Sequence, residues 1–133
     1  MTRPILIIED EPSIRESLAD LFDVPATQVT AVATLEEAQA ALAARPFDLI
    51  ISDIRLGGKR DGGLQVMAAS GLLSPEATVI ALTAFPDEEV RLATLRLGAT
   101  YFLEKPADLS VIAGIAAKHG VASTIHPAPV AVA

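Results

Sequence analysis

The chain of 133 residues contains no cysteine and no tryptophan, and aromatic side chains make up only 4% of it. Without thiols there can be no disulfide and no thiolate-held metal, which fits a reducing compartment. Basic charge is also scarce: 10 Lys and Arg stand against 17 Asp and Glu, a formal net charge of −7. Such a balance argues against nonspecific binding to a phosphate backbone. No apolar run reaches the roughly 18 residues of a membrane span, and no basic stretch precedes an apolar one as in a signal peptide. The expectation is a cytoplasmic domain that touches neither nucleic acid nor membrane. Hydrophobic residues make up 51%. The core is therefore aliphatic, and this length suits a single domain.

Strand and helix signals alternate five times along the chain. "RPILIIED" (3–10), "TQVTAVA" (27–33), "FDLIISDIRL" (47–56), "ATVIALTA" (77–84) and "ATYFLEKP" (99–106) read as strands. Between them, Pro12 opens a helix with Ile14, Leu18, Leu21 and Phe22 on one face. Thr34 and Glu37 have the spacing of a capping box, for a helix running to about Arg45. "GGLQVMAASGLL" (62–73) forms a third helix. Acids in the first turn and a glycine after the last mark a fourth over about 87–97. A fifth ends near Gly120. Apolar strands spaced by amphipathic helices imply a doubly wound parallel sheet covered on both faces. Residues 1–120 then form the domain, and 121–133, with two prolines and no helical period, read as a tail or the start of a linker.

Ligands of such sheets gather at the carboxyl ends of the strands. There the sequence puts Glu9, Asp10 and Glu11 after strand one, Asp53 after strand three, Thr83 after strand four and Lys105 after strand five. Packed carboxylates repel unless a cation joins them. Oxygen donors without cysteine suit Mg²⁺ or Mn²⁺. Such a cation would offset the charge of an incoming phosphoryl group, Lys105 and Thr83 could bind its oxygens, and Asp53 would be the nucleophile. Taken singly, each residue has a plainer role. Glu11, just before Pro12, reads as a helix cap. Asp53 alone would be a loop acid, Thr83 a strand residue and Lys105 a solvated surface charge. The two histidines, His119 and His126, read as helix-end and tail residues.

The motifs "ILIIEDEP", "FDLIISDIRL", "VIALTA" and "LGATYFLEKP" resemble the receiver domain of two-component response regulators, from residue 4 to about 119. The resemblance implies the flavodoxin-like, CheY-like fold, a five-stranded sheet in the order 2-1-3-4-5. It implies Asp10 as a direct metal ligand, Glu9 acting largely through water, and the Arg55 backbone carbonyl completing the site with Asp53. Asp53 would accept the phosphoryl group of a histidine kinase's phosphohistidine, and Thr83 and Lys105 would bind its oxygens. The switch aromatic lies three residues before the lysine, at Phe102, with Tyr101 on the opposite face of the strand. The output would be contact with a downstream protein or a second copy, through the fourth helix, fifth strand and fifth helix. Such a domain is a phosphoacceptor, speeding its own phosphorylation and dephosphorylation, and not an enzyme acting on a separate substrate.

Two features depart from the family pattern. Position 57 is Gly, and "GGKRDGG" lengthens the loop after Asp53, with four glycines and the charges of Lys59 and Arg60. The fourth helix has apolar residues on two faces: Val90, Ala93 and Leu97 on one, Leu92 and Leu95 nearly opposite. By analogy with the family, Leu92 and Leu95 point inward, and Val90, Ala93 and Leu97 form an interaction surface. Other classes fit less well. Aspartate-nucleophile phosphatases carry a second acid two residues after the nucleophile, where Arg55 stands here. A nucleotide-binding fold lacks its glycine motif. A nonreactive scaffold would lack one of the reactive residues. The Met1-Thr2 start reads as a true N-terminus, and the chain is either a stand-alone receiver or one cut from a longer regulator or hybrid kinase.

Overall fold

The computed structural model describes residues 2–56, 62–84 and 87–126. Among these described residues five strands and five helices alternate: β1 (Arg3–Ile8), α1 (Pro12–Leu21), β2 (Thr27–Val32), α2 (Leu35–Ala44), β3 (Leu49–Asp53), α3 (Gly62–Leu73), β4 (Thr78–Thr83), α4 (Glu88–Arg96), β5 (Tyr101–Glu104) and α5 (Leu109–Lys118). The strands pair in parallel in the order β2-β1-β3-β4-β5. β3 and β4 are buried at every residue, as expected of strands covered on both faces.

The period of two in the strands sorts their side chains into two cores. Ile5, Ile7, Leu49, Ile51, Ile80 and Leu82 meet α1 and α5. Leu6, Ile8, Ile50, Val79 and Ala81 meet α2 and α3, with Val90 and Leu95 of α4 packed on the same cluster. Tyr101 and Phe102 obey the alternation, Tyr101 joining the first core and Phe102 the second. The Tyr101 hydroxyl lies 3.0 Å from His119 Nε2 at the end of α5.

Local signals set the helix ends. The carboxylate of Glu11 accepts the Ile14 N–H at 3.0 Å, the capping role expected of it. Glu37 N–H donates to Thr34 Oγ1 at 3.1 Å, and the Glu37 carboxylate reaches back to the Ala33 N–H at 3.3 Å. Asp87 and Asp108 cap α4 and α5. Gly98 and Gly120 follow these two helices with φ of 106° and 81°, a backbone that favours glycine.

Two expectations need correction. The domain does not stop at residue 120, because Val121, Ala122 and Ser123 are buried. Thr124 donates both its N–H, at 2.8 Å, and its hydroxyl, at 3.1 Å, to the carbonyl of Leu21, a helix-end acceptor that α1 cannot satisfy itself. The segment 121–126 thus belongs to the fold, and residues 127–133 lie outside the described residues. The second correction concerns α4. Its buried residue is Thr94, Val90 packs inward beside it, and Leu92 is exposed. The interaction surface of Val90, Ala93 and Leu97 is therefore not a free face, although Leu97 at the end of the helix remains exposed. Thr94 can be buried there because its hydroxyl donates to the Val90 carbonyl at 2.7 Å, and Val90 and Leu95 pack on the second core. The lengthened loop falls at residues 57–61, with Lys59 and Arg60, outside the described residues.

Candidate functional site

The carboxyl ends of β1, β3, β4 and β5 bring four of the expected residue types together. Glu9 is wholly buried, Asp53 and Thr83 nearly so, and Asp10 is exposed at the rim. One carboxylate oxygen each from Glu9, Asp10 and Asp53 lies within 4.8 Å of the others. Lys105 reaches into this cluster from the end of β5. Its ammonium donates to Asp53 Oδ2 at 3.1 Å and to Glu9 Oε1.

Backbone donors hold the other carboxylate oxygens. The Arg55 N–H donates to Asp53 Oδ1 at 3.0 Å, and the Glu11 N–H donates to Glu9 Oε2 at 3.1 Å. Lys105 is positioned through its own N–H, which donates to the Thr83 carbonyl at 2.7 Å, tying the ends of β4 and β5. The start of α3 closes on the back of the phosphoryl-acceptor candidate. Gly63 N–H donates to the Ile54 carbonyl at 2.7 Å, and a Cβ on Gly63 would stand 2.5 Å from the Asp53 carbonyl oxygen.

Burial pushes the Glu9 carboxyl up to about 7, and the charge of Asp53 adds to this, against the opposing hydrogen bonds from Lys105 and Glu11. Burial also works against the Lys105 ammonium. Its hydrogen bond to Glu9 and the charges of Asp53 and Glu9 outweigh that and leave its pKa above the usual lysine value. Three hard oxygen donors within 4.8 Å of one another fit a divalent metal ion. A cavity of about 540 Å³ opens beside them between α1 and α5, with Ile14, Leu18, Leu109 and Ile112 in its walls.

The family model for the response regulator receiver domain matches residues 5–116. The chain belongs to the response regulator receiver domain family. Receiver domains are phosphoacceptors in two-component signalling. This receiver is 28% identical over 121 residues to the response regulator protein FleR of Pseudomonas aeruginosa, covering 91% of the chain and 25% of that protein. It is 35% identical over 105 residues to PilR of the same organism, covering 78% of the chain and 23% of that protein. The chain thus spans about a quarter of the length of these curated relatives. A solved response regulator from Burkholderia pseudomallei, holding a phosphorylated aspartic acid, a calcium ion and citrate, superposes with a TM-score of 0.75 at 28% identity. That match covers 86% of this chain and 65% of the other.

Two residues of the receiver's site were not singled out from the sequence. Gly63 carries a signal in principle, standing in the glycine-rich stretch before a helix, but only the packed backbone shows that nothing larger fits. Arg15 carries none, because an arginine on an exposed-looking helix turn is ordinary. Its guanidinium reaches the carbonyls behind the acidic pair.

Proposed function

We propose that this chain is a phosphorelay receiver in which Asp53 accepts a phosphoryl group from the phosphohistidine of a sensor histidine kinase or phosphotransfer protein. The observation that carries this is the Lys105 ammonium on Asp53 Oδ2 at 3.1 Å, inside a cluster of three carboxylates. The Arg55 N–H holds Oδ1, and Oδ2, which faces the Lys105 ammonium, is the oxygen that attacks phosphorus. As the new P–O bond forms, the P–N bond to the donor imidazole breaks. Lys105 then passes from Asp53 to a phosphoryl oxygen, and the Thr83 hydroxyl donates to another.

Asp10, Asp53 and the Arg55 carbonyl hold Mg²⁺ or Mn²⁺ in this reading, with Glu9 acting through water. The bound cation supplies charge neutralisation for the carboxylates and the phosphoryl oxygens. The calcium ion and phosphorylated aspartic acid of the Burkholderia neighbour support both halves of the proposal. The protein acts in the cytoplasm as a phosphoacceptor that speeds its own phosphorylation and dephosphorylation, not as an enzyme on a separate substrate. Movement of Thr83 toward the phosphate draws on Phe102, which packs on the same core cluster as Val90 and Leu95 of α4. The output is a shifted population of the surface of α4, β5 and α5, read by a downstream protein or a second copy. The length of the relatives favours the receiver of a longer regulator as the second form of the same reading.

Intact-protein mass spectrometry after incubation with acetyl phosphate and Mg²⁺ tests the chemistry. A phosphoryl adduct that requires Mg²⁺ and is lost in Asp53→Ala is the expected result. A folded wild type that binds Mg²⁺ yet gains no adduct would leave a nonreactive scaffold.

A further inference from the structure

Arg15 stands on α1, one turn after the Glu11 cap, and its backbone N–H donates to the Glu11 carbonyl at 3.0 Å. Its half-buried side chain turns back toward β1. Nη1 donates to the Glu9 carbonyl at 2.9 Å and meets the Asp10 carbonyl at 3.5 Å. The strand ladder has run out at this point. The Glu9 N–H donates to the carbonyl of Val32, the last residue of β2, and no further β2 residue follows to serve the Glu9 carbonyl. The planes of these peptides set the direction in which the Glu9 and Asp10 side chains leave the backbone.

We infer that Arg15 is a positioning residue for the metal site, locking the peptide carbonyls of Glu9 and Asp10 so that both carboxylates face Asp53. This rests on the proposed metal-binding reading of the acidic cluster. The role has a distinctive sign. A fixed positive charge near a cation site repels the incoming ion. Were charge the whole effect, removing Arg15 would tighten metal binding. A positioning role demands the reverse.

Calorimetric titration of Mg²⁺ into the full chain separates these. Arg3 is the control for charge, since it also carries one charge and donates to a backbone carbonyl, that of His119, at the far end of β1, where it pairs as well with Asp48 at 3.1 Å. Arg15→Met should weaken Mg²⁺ binding about tenfold, as loss of an outer-shell partner does, while Arg3→Met stays within about twofold. Arg15→Met should keep the circular dichroism spectrum of the metal-free wild type. Should it not, Arg15→Gln, which keeps a polar end but cannot span to both carbonyls, carries the same expected loss. Binding by the folded variant that equals or exceeds that of the wild type overturns the role of Arg15. Failure of the wild type itself to bind Mg²⁺ overturns the metal reading beneath it.

Discussion

β3 and β5 both deliver reactive groups to the same edge of the sheet, yet they are built differently. Every residue of β3 is buried, and Asp53 sits at the end of a strand clamped between β1 and β4. β5 is the outer strand, with three half-buried residues and one exposed, and the neighbouring α4 buries only Thr94. The carboxylate proposed as acceptor is thus held by the most deeply buried part of the sheet, and Lys105 and Phe102 ride on a lighter part. Under the proposed function, this contrast would let a charge event at Asp53 shift the outer edge while β3 stays in place. Sub-global motions draw on regions with few buried apolar contacts.

Truncations in the two strands test that difference most strongly. Ile51→Ala in β3 should cost about 2–5 kcal/mol, the usual range for a fully buried aliphatic side chain, and Leu103→Ala in half-buried β5 less than half as much. Chemical denaturation measures both, and equal costs would break the comparison.

The buried half also carries an electrostatic cost that pH exposes. The folded carboxyl of Glu9 is raised from 4.5 to about 7, so the native state holds a proton that the unfolded chain has released across that window. Stability of the metal-free protein should fall, by roughly 3 kcal/mol, as pH rises from about 4.5 to 7. Melting curves across this range should slope downward in the wild type and flatten in Glu9→Gln. A slope that survives the substitution would assign it to another group.

A smaller effect belongs to the contact of α3 with the acceptor strand. Gly63→Ala should cost about 1–3 kcal/mol, because its Cβ would meet backbone atoms of Asp53 and Ile54 that cannot turn aside. The same change should weaken Mg²⁺ binding through the displaced end of β3. A variant as stable as the wild type, with unchanged Mg²⁺ affinity, would show that the end of β3 yields more readily than its burial suggests.

Much of this architecture was legible in the residue order. A run of alternating strand and helix patterns dictates a parallel sheet, and the period of two in "ILII" and "LIIS" already assigns side chains to opposite cores. The caps at Glu11 and Thr34 and the stops at Gly98 and Gly120 were equally readable, since each is satisfied within a few residues of itself. The placement of the candidate site was legible for a related reason: strand ends in a parallel sheet converge, so Asp53, Thr83 and Lys105 could be put at one edge from their order alone.

What lay beyond reach was every choice between two locally equal options. Helix α4 offers apolar residues on both sides, and only the sheet surface it meets decides that Val90 goes in and Leu92 stays out. Residues 121–126 have no periodic signal, and their docking depends on the unsatisfied carbonyl of Leu21, a hundred residues earlier. The pairing of Glu9 with Lys105, and the reach of Arg15 to the carbonyls behind the acids, arise from separate elements packed at a common edge. Residue order was enough to say which elements form and which side chains stand at their ends, because hydrophobic period, caps and turn residues act over a few positions. The tertiary structure alone decided which face is covered and which charge meets which, because burial and Coulomb energy depend on distance in space.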